Sequence, residues 1–589
     1  MKFSFIIFAL AIASINLFGK QGSMIDQPRV AARSKMPAIE NGPVADIIVI
    51  GGGAAGGILM SELSKRCVFS VLGLKAGPNS TTNPAIEAVG LPAFMLPVPA
   101  NYGFFWPGFG QTEPQPTLNG RIAADWTTGL MLGGGSSVGE LYYGRGSNAV
   151  YSQWQEVSGS DNWSLDKILE TFNSLENYEG LTAGPNERGE NGEVNVLQTP
   201  TVSQITFNTL LPAAEAAFPG IPIAVDYNAP GTQNCIDPRA QWLINPIDVK
   251  RVSSATAFLN SKVMTPAGHG ANDHKLRVIF EAEVVKIVFD RHGRANAVRY
   301  VKNGRIFSAT ARKAVVLAGG INSSKILQLS GIGPKQTLEN AGIRPVFVNE
   351  NVGKHLQNHP RMSITLTVDP ADNGIPPGAP YAYTIQNVYL PAVGGSADDP
   401  RMLQILFTFI PAGVQGADAL LEIRFLLVNP KSEGSVEIQS NNSSQIAAVD
   451  PGFYQDSADL QNMKDAVENY IRALLEQLAT IDPPYYQPIS GDPINAVILS
   501  GYNDTVVESY VRNFTNPDGA DARHFTSHCK MAPPDEGVVD GNTRVYGTTN
   551  CYVMDSSICP VIPDVDTAAA AMMIGLRGSE ILKRVFRKR

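Results

Sequence analysis

The chain of 589 residues has little cysteine and little charge. Its five cysteines leave at least one unpaired in a monomer, which excludes the disulfide framework of a small secreted scaffold. Charged residues make up 17% of the chain, against about 25% in an average soluble protein, and this argues against a disordered chain or a coiled coil. The net charge of −8 disfavours a nucleic-acid partner, because a phosphate-binding surface needs positive charge.

Long apolar runs are also missing. No run reaches the roughly 20 apolar residues that are needed to span a bilayer. The apolar run over residues 3–13 follows Lys2 and ends among small residues, which predicts a signal peptide over residues 1–19 and a secreted protein. A membrane anchor is the alternative, for which this run is too short. Seven N-x-S/T triplets agree with export, although such triplets are common by chance; they begin at Asn79, Asn162, Asn322, Asn441, Asn442, Asn503 and Asn513.

The length predicts two to four domains, at roughly 100–200 residues each. Residues 20–43 are polar and contain proline, which predicts a linker after the signal. A buried strand follows Asp46, and glycines, a helix and a second strand complete a βαβ unit. Strand-like alternation predominates over residues 346–518, and the last segment, residues 567–587, predicts a terminal helix.

Glycine is abundant, and it follows the first predicted strand in the pattern G-x-G-x-x-G at Gly51, Gly53 and Gly56. These glycines allow a tight turn, close approach of the backbone to a pyrophosphate, and close packing of helix on strand. The first N–H groups of the helix, at Ala54 and Ala55, then face the diphosphate. Because a strand precedes the motif and a helix follows it, the sequence predicts a dinucleotide site.

An acidic residue about 20 positions after this motif is expected to bind the ribose hydroxyls of a dinucleotide. Lys75 stands at that place, at the end of the second predicted strand. A lysine can donate a hydrogen bond to a ribose hydroxyl but cannot accept one, so this adenosine contact is expected to be weaker.

Several segments together resemble one family, the glucose-methanol-choline (GMC) flavin oxidoreductases. The glycine motif is similar to the family's FAD-binding start, and residues 129–146 and 319–333 resemble its two signatures. Residues 353–359 and 524–560 are similar to further family stretches. These segments occur in the family's order and cover nearly the whole chain after residue 44.

The resemblance implies an α/β plus α+β architecture, in which a Rossmann-like FAD-binding domain adjoins a substrate domain built on an antiparallel sheet. It assigns residues 44–345 to the FAD-binding region, residues 346–518 to the substrate domain, and residues 519–589 to a region that returns to the FAD domain with the catalytic histidine. The implied cofactor is FAD, with no metal. The implied reaction oxidises an alcohol to a carbonyl, with hydride transfer to flavin N5, and the electron acceptor stays open.

The same resemblance implies which residues contact FAD. Val284 resembles a backbone contact to adenine, and Asp555 resembles an acidic contact to the ribityl chain. The residues expected at the pyrophosphate and ribose are Gly51, Gly53, Ala54, Ala55, Gly56 and Lys75. The residues expected to flank the isoalloxazine are Gly134, Gly135 and Ser136.

Alcohol oxidation needs a base for the hydroxyl proton, and His524 matches the family's catalytic histidine. The second catalytic position is usually His or Asn, but this chain has Asp566, six residues after Pro560. An ionised aspartate only accepts hydrogen bonds, and its charge would hold a nearby His524 as imidazolium. We expect His524 as the base with Asp566 as a modified partner; the alternative makes Asp566 the base.

Four positions depart from the family pattern, namely Lys75, Gly139, Asn358 and Asp566. They leave three hypotheses open. The first is a secreted FAD-dependent oxidoreductase acting on a small alcohol, with no nucleic-acid partner and no membrane span. The second is a non-catalytic assembly protein that keeps the fold, and the third is a lyase similar to the relatives that cleave cyanohydrins.

Overall fold

The computed structural model describes residues 38–79, 81, 83–89, 115–121, 128–182, 184, 186–372, 374, 384–412, 418–481, 485–516 and 522–587. The predicted signal peptide, residues 1–19, lies outside these residues, as does the predicted linker up to residue 37. In the described ranges, no helix combines the length and the apolar character that crossing a membrane requires.

The strands of the described residues are numbered in chain order. They are β1 (Ile39–Ile50), β2 (Val71–Leu74), β3 (Glu176–Glu179), β4 (Val194–Gln198), β5 (Cys235–Asp237), β6 (Gln241–Trp242), β7 (Ile244–Asn245), β8 (Lys250–Arg251), β9 (Leu276–Ile279), β10 (Glu283–Phe289), β11 (Ala295–Lys302), β12 (Arg305–Leu317), β13 (Ile332–Gly333), β14 (Phe347–Val348), β15 (Arg361–Thr367), β16 (Thr384–Leu390), β17 (Leu403–Ile410), β18 (Leu420–Leu427), β19 (Ser435–Glu437), β20 (Ala448–Asp450) and β21 (Cys551–Val553).

The α-helices are numbered in the same way. They are α1 (Ala54–Ser64), α2 (Pro84–Glu87), α3 (Gly135–Val138), α4 (Asn148–Ser158), α5 (Leu165–Leu175), α6 (Leu211–Ala217), α7 (Ser254–Phe258), α8 (Ser323–Leu329), α9 (Lys335–Asn340), α10 (Ser457–Asp465), α11 (Arg472–Ile481), α12 (Ile494–Leu499), α13 (Asp504–Phe514) and α14 (Ala568–Arg587). Single π-helical turns precede α6 and α11, at Thr206–Leu210 and Ala466–Ile471.

The first sheet has the strand order β10-β11-β12-β1-β2-β9, with β21 beside β12. Strand β1 runs parallel to β12 and β2, and β2 runs parallel to β9. Residues 47–50 are fully buried, as is typical of a parallel strand that is covered on both faces. Helix α1 follows β1, and the C-terminal helix α14 packs against α1. The chain therefore returns to its first sheet through β21 and α14, and the predicted βαβ unit is confirmed.

The first strand begins earlier than the sequence predicts. Residues 39–41 pair with residues 306–308 of β12, so β1 starts inside the predicted linker over residues 20–43. The polar, glycine-containing segment before residue 44 becomes a strand only because a distant part of the chain supplies its partner.

The second sheet is antiparallel, with the strand order β15-β18-β17-β16-β5. Its edge strand β5 comes from the region that the sequence assigns to FAD binding, residues 44–345. The predicted division at residue 346 is therefore not the division between the two sheets. A strand of three residues carries too short a pattern to be recognised from sequence.

Side chains alternate between the two faces of this second sheet. Leu421, Ile423 and Phe425 of β18 are fully buried on one face, in a core shared with α10, α11 and α13. On the other face, Glu422 pairs with Thr365 of β15, and Arg424 with Ser363. One face of the sheet is therefore apolar and packed against helices, and the opposite face carries charged residues together with apolar ones such as Leu406 and Leu426.

Candidate active site

A cavity of about 620 Å³ lies where the carboxyl ends of β1, β2 and β12 meet the face of the second sheet that carries the charged residues. This is the usual position of a ligand site in an α/β sheet. Every site residue predicted from the sequence lines this cavity, with Gly56 as the exception; those that line it are Gly51, Gly53, Ala54, Ala55, Lys75, Gly134, Gly135, Ser136, Val284, His524, Asp555 and Asp566.

The backbone of the glycine turn between β1 and α1 forms one wall of the cavity. Gly51 has a φ of +97°, which side-chain-bearing residues rarely adopt. Gly53 precedes α1 without any side-chain cap, so the first N–H groups of the helix are free to meet an anion. Gly56 has the packing role expected of the third glycine in the motif, because a Cβ there would lie 2.1 Å from the carbonyl oxygen of Gly51. It allows α1 to pack on the turn.

Lys75 extends over this glycine turn at the end of β2. Its Cδ lies 3.4 Å from where a Cβ on Gly52 would be, and the residue is 6% exposed. Within the described residues its ammonium has no hydrogen bond or ion pair. Burial lowers the pKa of Lys75 to about 8. The site thus places a poorly compensated cation beside the turn that is predicted to hold a diphosphate.

The loop that carries Gly134, Gly135 and Ser136 lies directly against the same turn. A Cβ on Gly134 would come within 2.8 Å of the Cα of Gly53. Ser136 donates a hydrogen bond to the carbonyl of Gly133 at 2.7 Å and accepts one from the backbone of Ser254 at 3.1 Å. The hydroxyl of Ser136 is therefore used to hold the loop in place.

Asp555 has partners that differ from the predicted acidic contact to a ribityl chain. One carboxylate oxygen accepts from the backbone N–H and the hydroxyl of Ser557, at 2.9 and 2.5 Å. The other accepts from the N–H of Gly320 and the hydroxyl of Ser323, at 3.0 and 2.6 Å. Because a carboxylate has about four acceptor positions, all are occupied by the protein. The side chain ties the end of β21 to the loop after β12.

His524 is held by two side chains that lie on different parts of the chain. Its Nε2 lies 3.0 Å from Oδ1 of Asp566, and its Nδ1 lies 2.8 Å from Nδ1 of His359. The contact with His359 arises because Gln357 and Thr526 exchange two backbone hydrogen bonds, which bring residues 357–359 beside residues 524–526. Asp566 lies just before α14, where the helix dipole favours a negative charge.

The sequence does not single out His359 as a site residue, although it lies in one of the family stretches. Its ring is fully buried, and burial together with the neighbouring His524 lowers its pKa well below the ordinary value of 6.5. His359 is therefore a neutral partner of His524. The N–H of His524 also donates to Oδ1 of Asn358 at 2.9 Å, so this departure from the family pattern holds the backbone of His524 in place.

His528 has no part in this cavity. It is fully buried, it lies 2.8 Å from the hydroxyl of Ser324, and burial lowers its pKa to about 3. Its environment is that of a structural histidine.

The wall opposite the glycine turn carries a chain of charges that the sequence does not single out. Arg424 contacts Glu140 at 2.6 Å and Glu422 at 2.7 Å, and Glu422 also lies 3.4 Å from Arg361. Alternation of polar and apolar residues along β15 and β18 is the signal that could have revealed this wall. Positive and negative groups both face the cavity, so this wall suits a ligand with hydrogen-bonding groups.

The residues of this cavity fit FAD. The open backbone at Gly53 and the uncapped beginning of α1 supply donors for a diphosphate, and Lys75 supplies a positive charge. One continuous cavity is lined by this turn, by Gly134 and Ser136, and by His524 and the charged wall, which suits a dinucleotide and a substrate that share one space.

Comparisons with known proteins agree with this geometry. The family models described as GMC oxidoreductase match residues 45–361 and residues 430–575. The chain is 26% identical over 562 residues to an oxygen-dependent choline dehydrogenase of Staphylococcus xylosus, covering 91% of this chain and 94% of that relative. It is 25% identical over 572 residues to an alcohol dehydrogenase [acceptor] of Pseudomonas putida, covering 92% and 96%.

Among solved structures, the chain resembles pyridoxine 4-oxidase from Mesorbium loti. The TM-score is 0.76 at 21% sequence identity, and the match covers 92% of this chain and 99% of that one. At this identity the likeness concerns the fold alone. The predicted fold class, a Rossmann-like domain joined to a domain with an antiparallel sheet, is confirmed.

Proposed function

Since the chain belongs to the GMC oxidoreductase family and its cofactor is FAD, we propose that it oxidises the CH–OH group of an alcohol to a carbonyl. The observation that carries the proposal is the pair of His524 and Asp566, 3.0 Å apart on the wall of the FAD cavity. FAD supplies the two-electron acceptor for the hydride. The protein must accept the proton that leaves the hydroxyl and must orient the carbon that loses the hydride.

The hydrogen bonds of the pair decide which atom could still accept the hydroxyl proton. An ionised Asp566 can only accept, so its contact places a hydrogen on Nε2 of His524. The other ring nitrogen of His524 faces His359. Oδ2 of Asp566, by contrast, is buried and has no hydrogen-bond partner among the described residues, so it is an acceptor that the protein leaves unused. This arrangement favours the alternative in which Asp566 accepts the proton and His524 positions it.

The overall step then balances in a simple way. The O–H bond of the alcohol breaks and its proton passes to the carboxylate of Asp566. The C–H bond breaks with both electrons, and FAD, when bound, would accept the hydride. The electron pair of the O–H bond forms the second bond of the carbonyl product.

The charged wall supports a polar alcohol as the substrate. Glu140, Glu422, Arg361 and Arg424 all line the cavity, and their charges offset one another. Bringing an apolar substrate against these groups would remove water from them without replacing its hydrogen bonds. An alcohol with further hydroxyl, amine or acid groups would replace them.

Absorbance of the purified protein under anaerobic conditions tests the proposal. Oxidised flavin absorbs near ~450 nm, and an alcohol that serves as substrate bleaches this band. A panel of small alcohols, each with a further polar group, is the set to screen. A bound flavin that no alcohol reduces would favour a lyase or an assembly protein, and a protein that takes up no FAD would favour the assembly protein.

We also propose that the protein is exported and glycosylated. Among the described N-x-S/T sites, Asn441, Asn442, Asn503 and Asn513 are exposed. Asn322 lines the FAD cavity at 8% exposure, so a glycan there is incompatible with the fold. N-terminal sequencing and the mass lost on glycosidase treatment test both points. An intact Met1 in a cytosolic fraction would contradict export.

A further inference from the structure

The adenosine end of the FAD cavity contains an acid that neither the glycine motif nor the family signatures assign. Glu283 is the first residue of β10 and lines the cavity beside Val284. Within the described residues its carboxylate has no hydrogen bond or ion pair. Burial raises the pKa of Glu283, and the attraction of Lys325 offsets this only in part.

The connection from β9 to β10 brings Glu283 to the end of β2. Lys75 donates from its N–H to the carbonyl of Ile279 at 2.9 Å, and Ala282 donates back to the carbonyl of Lys75 at 2.9 Å. Glu281 donates to the carbonyl of Gly77 at 3.2 Å. Glu283 therefore follows a segment that is bonded to residues 75–77, where a dinucleotide fold places its ribose-binding acid.

We propose that Glu283 accepts the hydrogen bond of the adenosine ribose that the family's acid at position 75 would accept, so that β10 and not β2 supplies this contact. Lys75, which extends over the glycine turn, is left to compensate the diphosphate. Lys325 faces the same part of the cavity and attracts Glu283 without an ion pair within 4.0 Å. An acid and two cations are thus arranged around the adenosine diphosphate half of the cofactor.

The contact has a chemical requirement that can be tested without turnover. A carboxylate recognises a ribose by accepting from its 2′-hydroxyl, which 2′-deoxyribose lacks. A hydrogen bond to a charged group contributes about 10- to 100-fold in affinity. The wild-type protein, freed of cofactor, should therefore bind ADP more tightly than 2′-deoxy-ADP, measured by competition against FAD.

Glu283→Gln is the main variant, because it removes the charge and keeps the shape of the side chain. We expect its FAD dissociation constant, measured by quenching of flavin fluorescence, to rise about 10- to 100-fold. Its preference for ADP over 2′-deoxy-ADP should disappear. Glu281→Gln is the matched control, because Glu281 lies on the same connection but is largely exposed, with only a 3.9 Å contact to Lys302.

A second variant separates a lost contact from a damaged fold. Lys75→Glu in the Glu283→Gln background restores an acid at the end of β2 and should recover the preference for ADP. The melting temperatures of Glu283→Gln and Glu281→Gln, measured without FAD, should be the same. Glu283→Gln that binds FAD as tightly as Glu281→Gln would overturn the inference, and so would a wild type that binds 2′-deoxy-ADP as tightly as ADP.

The inference does not depend on an alcohol being the substrate. If wild type binds FAD but no alcohol bleaches it, the proposed function fails and the Glu283 contact remains. If alcohols bleach the flavin and Glu283→Gln has no effect on FAD affinity, the Glu283 contact fails alone.

Discussion

The imidazoles of His359 and His524 face each other through their Nδ1 atoms, 2.8 Å apart. Only one hydrogen fits between two such nitrogens, so one ring donates and the other accepts. The low pKa of His359 keeps that ring neutral, and it can therefore change tautomer without changing charge. His359 can therefore donate to Nδ1 of a neutral His524, whose hydrogen lies on Nε2 towards Asp566, and can accept from the same nitrogen when His524 is an imidazolium.

Removing this partner should slow the reaction without loosening the cofactor. We expect His359→Gln to lower the rate of flavin reduction about tenfold, the equivalent of one lost hydrogen bond. FAD affinity should be unchanged, because His359 does not line the FAD cavity. Anaerobic stopped-flow absorbance measures the rate. The shape of its pH profile should match the wild type, since a neutral His359 does not titrate near neutrality; a shifted profile would contradict the prediction.

The pair of His524 and Asp566 gives a sharper prediction. Asp566→Asn removes the proposed proton acceptor, the buried carboxylate oxygen of the pair that has no hydrogen-bond partner among the described residues, so flavin reduction should fall about 10²-fold or more. Asp566→Glu keeps an acceptor and should retain part of the rate. His524→Ala should lose about 10²–10⁴-fold under either assignment.

An Asp566→Asn variant that reduces its flavin faster than wild type would change the assignment of the base. An asparagine can donate to an unprotonated Nε2 and so leave His524 able to accept a proton. A faster Asp566→Asn would therefore return the role of base to His524, as the sequence alone led us to expect.

The residues of this site show which features can be predicted from the sequence. The glycine motif predicts the turn after β1, because its spacing depends on local backbone conformation alone. Counting from Pro560 brings Asp566 to the catalytic position, since the family keeps that spacing. The contact between His359 and His524 could not be predicted in this way, because it depends on how Gln357 and Thr526 pair across a long separation in sequence.

The charged side chains around the cavity could not be predicted from the sequence either. Arg424 lies on β18 and Glu140 on the loop after α3, and only the fold brings them within 2.6 Å of each other. Glu283 gave no signal either, because its place beside the end of β2 follows from backbone bonds between Lys75 and the connection before β10. Local motifs therefore predicted the FAD cavity, whereas the charges that modify it came from tertiary contacts.

Lys75 should make the stability of the cofactor-free protein depend on pH. Its pKa is about 8 in the fold and 10.5 as the ordinary value, so the unfolded chain binds more protons between these pH values. Stability should therefore rise with pH from about 8 to 10.5, by up to about 3 kcal/mol relative to Lys75→Met.

Urea unfolding of both proteins at pH 7, 8, 9 and 10 measures this difference. Lys75→Met should be the more stable of the two at pH 7, and the gap should close as the pH rises. Bound FAD should reduce the gap at pH 7, because its diphosphate compensates the ammonium. A gap that stays constant with pH would show that Lys75 is not the group responsible.

Changing two glycines of the same motif to alanine should have different effects, one on stability and one on FAD binding. A Cβ on Gly56 would lie 2.1 Å from the carbonyl oxygen of Gly51, and this backbone contact cannot be relieved by a side-chain movement. We expect Gly56→Ala to cost about 1–3 kcal/mol of stability or more, with or without FAD.

Gly53 is the matched case, because a Cβ there meets no protein atom within 4 Å and its φ of −85° suits any residue. Gly53→Ala should leave the unfolding free energy of the cofactor-free protein unchanged. It should nevertheless weaken FAD binding, since the added methyl group lies on the turn where the backbone must approach the diphosphate. Urea unfolding and flavin fluorescence measure the two effects separately. Gly53→Ala that binds FAD like wild type would place the diphosphate away from this turn.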